Sequence, residues 1–370
     1  MPGSGAQKKT NKARGSSNPL LDSVRQKVFS FLGIGETKKI AIVSDNDQDG
    51  ITASVQLWRF FKSKKIESKV FFYDHYSKKL SLSSERFANF SPEKTVFLDL
   101  SDGLVSDVLL QVGKYTGPFL VIDHHQHESI KNNIFMNLVV KPWSFSEVEP
   151  SKYPVSRMVF DIFSGVDWVC AIGVIGDFAF EQWRAFLDKV KKKYVLSEKQ
   201  LFDLDEIVVC ISSQYPEKIN SLFGFLCSAR KPHDLLKSEF VAFKKLFDQK
   251  IELMAARFEK EAECFPEGVC FFRAEKRFSS KLSNVISSKH KDKVIIILEQ
   301  PGGLVKCSIR RQDFKVNCGN LAKFCTSSIP NAKGGGHIPA AGATFPPQYE
   351  EEFKTKARMF LLENPSKAMD

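Results

Sequence analysis

Apolar positions in the first half of the chain fall into short runs separated by stretches with helical spacing. A helix is predicted to begin near Pro19, and Lys39-Ile40-Ala41-Ile42-Val43 is a short apolar run typical of a buried strand. An amphipathic helix then extends through Phe61. Strands that alternate with helices predict an α/β fold with a mostly parallel sheet covered on both faces. Further strands are predicted at 69–73, 95–100, 119–122 and 135–140.

The pattern changes in the second half of the chain. Residues 180–262 carry only helical signals, and strand signals return after Pro266 at 269–272, 294–298 and 304–309. A smaller second α/β domain is therefore expected, joined to the first by a stiff helical connector. The predicted organisation is a disordered basic tail at 1–18, a first domain at 19–180, the connector at 181–264 and the second domain at 265–370.

Composition and charge narrow the classes of function. The formal net charge of +11 and the pI near 9.1 favour a polyanionic partner, although part of the excess lies in the tail. None of the eight cysteines forms a C-x-x-C pair, and several lie in apolar runs, so reduced thiols are expected, not disulfides or structural zinc. No signal peptide and no membrane-spanning run is recognisable, which predicts a soluble cytoplasmic protein without a membrane partner.

Four acidic clusters carry the candidate chemistry, and most follow a predicted strand. Because ligands of open α/β sheets bind outside the carboxyl ends of the strands, these side chains are expected to converge on one crevice. Asp177 is different, since it interrupts a long apolar run and would be costly if buried without a partner. The clusters are Asp45-Asn46-Asp47-Gln48-Asp49-Gly50, Asp99, Asp123-His124-His125 and Asp177.

So many acids cannot share a small volume unless cations neutralise them, because repulsion and desolvation disfavour their charged forms. Carboxylates with an imidazole suit Mn²⁺ or Mg²⁺. Two such ions roughly 3.5–4 Å apart can drive phosphoryl hydrolysis. The sequence therefore predicts a centre with two divalent ions.

Each motif also has a simpler interpretation. Asp45 to Gly50 matches the start of an EF-hand loop, but that loop needs Glu where this chain has Gln56, and a preceding helix where this chain has a strand. Asp99 alone could cap a helix, and the triplet beginning at Asp123 alone could be a polar turn. Only the joint occurrence of all four clusters is specific.

In this combination the motifs resemble those of the DHH family of phosphoesterases, named for the triplet Asp123-His124-His125. The resemblance covers about residues 38 to 180, and a second one, to the associated DHHA1 domain, covers about 265 to 346. In its size and in the Gly176-Asp177 form of its fourth motif, the chain looks closer to archaeal RecJ-like proteins than to bacterial RecJ. The marks of the second domain are Ser280, Ser308-Ile309-Arg310, Gly334-Gly335-Gly336-His337 and Ala340-Ala341-Gly342.

The resemblance implies a role for each matching residue. Asp99 would bridge the two ions, Asp123 would orient the adjacent His124, and His125 would face the scissile phosphate. Ser308, Arg310 and His337 would clamp the substrate, while a glycine turn containing Gly335 and Gly336 would let backbone N–H groups approach a phosphate. The implied metal ligands are Asp45, Asp47, Asp49, Asp99, His124 and Asp177.

The leading hypothesis is an exonuclease that degrades single-stranded DNA or RNA, with a role in DNA repair. Alternatives are a nanoRNase-like enzyme for very short oligonucleotides, cyclic dinucleotides or adenosine bisphosphate, a scaffold among replication proteins, and a manganese pyrophosphatase. The chain departs from bacterial RecJ at 73–79, and it is expected to lack the C-terminal oligonucleotide-binding barrel of that protein. The four tryptophans are expected to belong to the core and not to stack on bases; Trp143, on a predicted loop, is the one for which stacking is worth a test.

Overall fold

The computed structural model describes residues 18–74, 79–80, 84–112, 117–126, 130, 136–300 and 302–364. Most of the predicted basic tail and most of the segment that departs from bacterial RecJ lie outside these ranges. The chain divides into two compact units, Met1–Val241 and Ala242–Asp370. The boundary falls inside the segment predicted as a helical connector. Among the described helices, none is long and apolar enough to cross a membrane.

A six-stranded sheet forms the centre of the first unit, in the order β3-β2-β1-β4-β5-β6. All neighbours are parallel except the short edge strand β3, which runs antiparallel to β2. The predicted mostly parallel sheet is thus confirmed, with each predicted strand found to within two residues at its ends. The strands are β1 (Lys39–Asp45), β2 (Glu67–Asp74), β3 (Lys79–Leu80), β4 (Lys94–Leu98), β5 (Phe119–Ile122) and β6 (Asn137–Val140).

The helices of the first unit begin where the sequence supplies caps. The Asn18 side chain accepts the N–H groups of Leu20 and Leu21, so α1 starts at Pro19 as predicted. Asp47 caps the next helix by accepting the N–H of Gly50 at 2.9 Å. The helices are α1 (Pro19–Leu32), α2 (Gln48–Ser63), α3 (Ser84–Phe90), α4 (Asp102–Val112), α5 (Val155–Phe163), α6 (Asp167–Gly176), α7 (Arg184–Tyr194), α8 (Glu198–Gln214), α9 (Ile219–Ser228) and α10 (Pro232–Leu236).

The second unit contains a mixed six-stranded sheet in the order β11-β12-β10-β9-β8-β7, whose only parallel neighbours among the described strands are β8 and β9. Helices pack over it, and the rings of Phe345 and Phe353 stack 4.4 Å apart in its core. The elements are α11 (Phe240–Glu261), β7 (Glu263–Phe265), β8 (Val269–Arg273), α12 (Ser279–Lys289), β9 (Val294–Glu299), β10 (Val305–Arg310), α13 (Cys318–Thr326), β11 (Lys333–Gly336), β12 (Ala340–Phe345) and α14 (Glu350–Glu363).

The glycine cluster is not the tight turn expected from the sequence. Gly334, Gly335 and Gly336 lie in the edge strand β11, paired with β12. A Cβ atom at Gly334 would come within 2.4 Å of the Ala322 carbonyl oxygen of α13. Glycine is therefore required here by the close approach of a helix to a strand.

The expectation that all eight cysteines are reduced is wrong for one pair. Cys264 and Cys270 are bonded as a disulfide, and the other six are free thiols. The physical reason is the antiparallel pairing of β7 with β8, which sets these two residues directly opposite each other, with Cα atoms 4.1 Å apart. The intervening Pro266 and Gly268 are turn residues that could have signalled the hairpin.

Candidate metal centre

The acids of the first unit lie at the carboxyl ends of three neighbouring strands. Asp45 is the last residue of β1, Asp99 directly follows β4, and Asp123 directly follows β5. Because β1, β4 and β5 are adjacent and parallel, their ends meet at one edge of the sheet. The convergence expected from the sequence is therefore present.

Three groups of potential ligands form at this edge, each with ligand atoms within 4.8 Å of one another. Asp99 belongs to two groups and His124 to two, so the three groups make one continuous cluster. It contains all six residues proposed as metal ligands. The groups are Asp45, Asp47 and Asp99; Asp99, His124 and His125; and Asp49, His124 and Asp177.

His124 lies at the centre of this cluster. Its Nε2 atom is 3.5 Å from Asp99 Oδ1, and its Nδ1 atom is 3.4 Å from Asp177 Oδ2 and 3.2 Å from the Pro150 carbonyl oxygen. Burial lowers the pKa of His124, although Asp49 acts in the opposite direction. A neutral imidazole with a nitrogen facing a carboxylate is the form that binds a metal ion.

The carboxylates of Asp99 and Asp177 are held in an unfavourable environment. Burial first, and then repulsion from Asp47, Asp49 and Asp45, raises the pKa of Asp99 well above its usual value. Burial, followed by Asp49 and Asp47, raises the pKa of Asp177 to about 9. Asp99 Oδ1 and Asp177 Oδ2 are buried without a hydrogen-bond partner among the described residues. A bound cation would neutralise these carboxylates and give their buried oxygens a partner.

A divalent cation fits these residues. The donors are carboxylate oxygens and the imidazoles of His124 and His125, without a thiolate, which is the set that suits Mn²⁺ or Mg²⁺. A bound ion would supply the positive charge that the buried oxygens lack. The backbone at Asp99 has φ of +56°, a left-handed conformation that non-glycine residues adopt rarely and that occurs often at functional sites.

Asp49 has a second task besides facing the cluster. Its two carboxylate oxygens accept the N–H groups of Val155 at 2.6 Å and Ser156 at 2.8 Å, in the first turn of α5. Each carboxylate oxygen keeps a further lone pair, so these bonds leave capacity for a metal. Asp49 therefore fixes the start of α5 against the start of α2.

The loop between Asp45 and Gly50 is shaped by its glycine. A Cβ atom at Gly50 would lie 2.4 Å from the Asp45 carbonyl oxygen, so only glycine lets α2 start this close to β1. The EF-hand interpretation is excluded, because a strand precedes the loop. Gln56, at the position of the EF-hand glutamate, is buried, and its Nε2 atom donates to the carbonyl oxygens of Thr52 and Ser156.

The resemblance implied that Asp123 orients His124. In the structure, Asp123 instead forms its hydrogen bond with His125. Asp123 Oδ1 lies 2.6 Å from His125 Nδ1, and Lys141 Nζ donates to Asp123 Oδ2 at 2.6 Å and to the His125 carbonyl oxygen at 2.9 Å. One carboxylate oxygen of Asp123 is thus engaged by His125 and the other by the buried Lys141, and no contact of either oxygen with the His124 ring is found among the described residues. The bond to Asp123 raises the pKa of His125, whose side chain is 45% exposed.

Lys141 is a site residue that the sequence pattern did not single out. It directly follows the apolar strand β6, and a cation at the end of a buried strand is the signal that could have found it. Burial alone would raise the pKa of Asp123, but His125 and Lys141 outweigh it and hold that pKa below its usual value.

The residues proposed to bind substrate in the second unit share one region of its sheet. Ser308 and Arg310 are two residues apart on β10, so their side chains point to the same face of the sheet. Ser308 is paired with Gly342 of β12, and Gly342 is paired in turn with Gly335 of β11. Ser308 Oγ donates to Ser279 Oγ at 3.2 Å, and Arg310 Nε donates to Asn284 Oδ1 at 2.7 Å.

Two more of these residues lie at the end of β11. Gly336 is its last residue and pairs with Ala341, and His337 follows with an exposed side chain. The backbone N–H of His337 donates to the Ala340 carbonyl oxygen at 2.8 Å. The His337 carbonyl oxygen accepts the N–H groups of Ala340 at 3.3 Å and Gly319 at 3.2 Å. The imidazole is therefore carried on a fixed backbone.

Comparison with known proteins places this geometry in a wider class. Residues 269–363 match the family model of the DHHA1 domain. RecJ from Thermus thermophilus in complex with Mn²⁺ has a TM-score of 0.67 at 14% identity, over 96% of this chain and 56% of that chain. An exonuclease RecJ bound to manganese has a TM-score of 0.63 at 17% identity, over 93% of this chain and 95% of that one. No curated protein sequence matches.

A DHH domain described as a member of a family of ribosomal proteins is similar as well, with a TM-score of 0.69 at 15% identity over 96% of this chain and 94% of that chain. These likenesses show a shared two-domain α/β fold. Residues 269–363 therefore form a DHHA1 domain, and the chain as a whole has the two-domain fold of these DHH proteins, as its motifs suggested.

Proposed function

We propose that the chain is a divalent-metal-dependent phosphodiesterase, an exonuclease of the RecJ kind that degrades single-stranded DNA or RNA from an end. The observation that carries the proposal is the acid cluster around His124, in which Asp99 Oδ1 and Asp177 Oδ2 are buried without a hydrogen bond from any described residue. We assign catalysis to residues 19–180 and phosphate binding to 265–370, joined by the helical segment 181–264. The net charge of +11 supports a polyanionic substrate.

Two Mn²⁺ or Mg²⁺ ions, held by the six ligand residues, would lower the pKa of a water molecule and neutralise charge that develops on the phosphate. The protein's own groups would orient the substrate around them. His125 is partly exposed and its pKa is raised by Asp123, so the protonated imidazole can donate to a phosphate oxygen. Asp123 and Lys141 hold that ring in one orientation.

In the second unit, Arg310 and His337 are proposed to bind phosphate groups of the strand. Arg310 is partly buried; among the described residues its Nε atom donates to Asn284 Oδ1 and its Nη1 atom to the Ile309 carbonyl oxygen at 3.4 Å. Its planar guanidinium can therefore offer further N–H groups to a phosphate. Ser308 and the exposed backbone near Gly335 and Gly336 would complete this binding surface.

The test is hydrolysis of end-labelled single strands of DNA and RNA, from about 2 to about 20 nucleotides long, by the full chain with Mn²⁺ and with chelator. Asp99→Asn and His124→Ala should reduce the rate at least about a hundredfold. Asp188→Asn and His290→Gln, which change the same residue types elsewhere, should keep it. Full activity of either site variant would refute the mechanism.

The length series also separates the alternatives. Rapid cleavage of dinucleotides with indifference to 20-mers would favour the nanoRNase-like enzyme. Absence of hydrolysis at every length, by a chain that still binds Mn²⁺, would leave the replication scaffold as the better hypothesis. Polarity follows from which label is released first.

A further inference from the structure

The imidazole of His124 is held by a backbone carbonyl group as well as by the acids around it. Its Nδ1 atom lies 3.2 Å from the Pro150 carbonyl oxygen, in hydrogen-bonding geometry. A carbonyl oxygen can only accept a hydrogen bond, so Nδ1 must carry the hydrogen. In the neutral ring the free lone pair is then on Nε2, the atom that lies 3.5 Å from Asp99 Oδ1.

Asp177 does not take this hydrogen from Pro150. Asp177 Oδ2 lies 3.4 Å from the same Nδ1 atom, but it is buried without a hydrogen bond from any described residue. The Nδ1–H group is therefore directed at Pro150. This direction matters for metal binding, because a ring nitrogen that carries a hydrogen cannot also be a ligand atom.

The Pro150 carbonyl group belongs to a short segment that is closed by its own hydrogen bonds. Pro150 begins a one-turn 3-10 helix (Pro150–Lys152), and the backbone N–H of Tyr153 donates to the Pro150 carbonyl oxygen at 2.9 Å. That oxygen has two lone pairs, one for Tyr153 and one for His124. The position of Tyr153 thus determines where the oxygen meets the imidazole.

The side chain of Tyr153 is anchored within the first unit. It is only 5% exposed, and its hydroxyl group donates to Asp161 Oδ2 at 2.6 Å. Arg157 donates to the same carboxylate, from Nε at 2.9 Å and from Nη2 at 2.8 Å. Arg157 and Asp161 both belong to α5. The helix that binds Asp49 with its first turn therefore holds Tyr153 with its later residues.

Trp183 anchors the last residue of the same 3-10 helix. Its Nε1 atom donates to the Lys152 carbonyl oxygen at 2.8 Å. The ring planes of Trp183 and Tyr153 meet at 75°, with centroids 4.9 Å apart, and the Arg157 guanidinium lies 4.3 Å from the indole centroid. Two packing partners thus fix the direction of the indole N–H. Trp183 thereby holds Lys152, and with it the turn that begins at Pro150.

We propose that Tyr153 and Trp183 are positioning residues of the metal centre. Through the Pro150 carbonyl group they hold His124 as the tautomer with its hydrogen on Nδ1, so that Nε2 is its ligand atom. Each has one donor group on a large aromatic ring whose packing limits its motion. The purpose of this arrangement rests on the proposed function, whereas the tautomer can be observed without metal or substrate.

The experiment is NMR of isotope-labelled imidazole nitrogens in the full chain, in chelator. His124→Gln identifies the His124 signals as those that it removes. The wild type should show a protonated Nδ1 and an unprotonated Nε2 at His124. Trp183→Phe and Tyr153→Phe each remove one hydrogen bond and keep an aromatic ring. Each should give a mixture of the two tautomers and, in titration calorimetry without chelator, lower the affinity for Mn²⁺ about tenfold.

Two control variants remove the same groups elsewhere in the first unit. Tyr194→Phe removes a hydroxyl group that donates to Asp167 Oδ1 at 2.7 Å, and Trp58→Phe removes a half-buried indole on α2. Both should keep the wild-type tautomer of His124 and bind Mn²⁺ within about twofold of the wild type, because neither alters the surroundings of the metal ligands. Thermal unfolding shows that each variant is folded before it is compared.

The inference is overturned if wild-type His124 carries its hydrogen on Nε2. It is also overturned if Trp183→Phe or Tyr153→Phe keeps the wild-type tautomer, even where Mn²⁺ binding weakens, because that residue would then act only on stability. Mixed tautomers with unchanged Mn²⁺ affinity, or equal mixing in the control variants, would overturn it as well. Absence of hydrolysis would refute the proposed function and leave these spectra unaffected.

Discussion

Lys141 Nζ lies 2.6 Å from Asp123 Oδ2, and the two side chains are only 3% and 0% exposed. Lys141 follows β6 and Asp123 follows the neighbouring strand β5, so one buried ion pair joins the ends of two strands. The same ammonium group donates to the His125 carbonyl oxygen. Lys141 therefore holds the backbone of the Asp123-His124-His125 triplet in place through hydrogen bonds to its first and last residues.

Lys141→Met is expected to lower the free energy of unfolding by about 3 kcal/mol, because removing one partner leaves a buried carboxylate uncompensated. Urea unfolding at pH 7 is the measurement. The control is Lys199→Met, which removes an ion pair whose lysine is 82% exposed and should cost less than about 1 kcal/mol. Equal costs for the two variants would contradict a structural role for the buried pair.

The pH dependence of this pair has a definite sign. The folded pKa of Asp123 is depressed, so its contribution is fully present above the unfolded value of about 3.9 and is lost as the pH falls through the folded value. The difference in unfolding free energy between the wild type and Lys141→Met should therefore narrow below about pH 4. A constant difference from pH 7 to pH 3 would show that lost packing, not charge, dominates.

Asp177→Asn is expected to stabilise the metal-free chain at pH 7, by about 1–2 kcal/mol after allowance for solvent screening. The pKa of Asp177 is raised to about 9 in the folded state, so its ionisation opposes folding as the pH rises above the unfolded value. The gain should vanish below about pH 4, where the carboxyl is protonated in both states. Thermal and urea unfolding in chelator measure it.

Adding Mn²⁺ should make the wild type more stable to unfolding than Asp177→Asn, which is the reverse of the order expected in chelator. A ligand at a hundred times its Kd stabilises the folded state by about 2.7 kcal/mol, and Asp177→Asn should lose much of this gain by losing a ligand oxygen. The exposed carboxylate of Asp188 gives the control, since Asp188→Asn should change neither measurement. Identical stabilisation of wild type and Asp177→Asn by Mn²⁺ would remove Asp177 from the ligand set.

The sequence predicted the cluster because its geometry follows from a rule of parallel sheets. Asp45, Asp99 and Asp123 follow apolar runs, and parallel strands in one sheet must bring such residues to one edge. The strands themselves were found because both their faces are buried, which leaves continuous apolar runs. For these three acids, the local apolar pattern therefore also predicts the position of the side chain in the folded chain.

What the sequence could not supply were partners that depend on side-chain direction and strand register. The direction of the Asp123 carboxylate decides that it binds His125 and not His124, and no spacing encodes it. The register of β7 against β8 decides the Cys264–Cys270 bond. Likewise, Gly334 signals a close approach, but only the packing of α13 shows that it lies in a strand and not a turn.

The disulfide should be visible by thiol counting and by stability. The denatured chain is expected to expose six reactive thiols before reduction and eight after it. Under oxidising conditions, Cys264→Ser should lower the free energy of unfolding by about 2 kcal/mol, because the disulfide no longer restricts the unfolded chain across this short loop. Under reducing conditions the wild type also lacks the bond, so the substitution should not change the free energy of unfolding. Cys227→Ser, which alters a free and partly buried thiol, is the control. Eight reactive thiols without reduction would exclude the bond.

Trp143 is expected to stack on a base of the bound strand. It is 43% exposed, in a short 3-10 helix (Pro142–Ser144) directly after Lys141, so its indole face is accessible beside the anchored triplet. Trp143→Ala should weaken binding of a single-stranded 20-mer about tenfold, the loss of one base stack, while unfolding free energy changes by less than about 0.5 kcal/mol. Fluorescence anisotropy in Ca²⁺, without turnover, measures the affinity. Leu110→Ala, at an exposed apolar position of the same unit, should bind as the wild type does. If Trp143→Ala also binds the 20-mer as the wild type does, the indole does not contact bases. Recognition of the nucleic acid by the first unit would then rest on the phosphates of the nucleic acid alone.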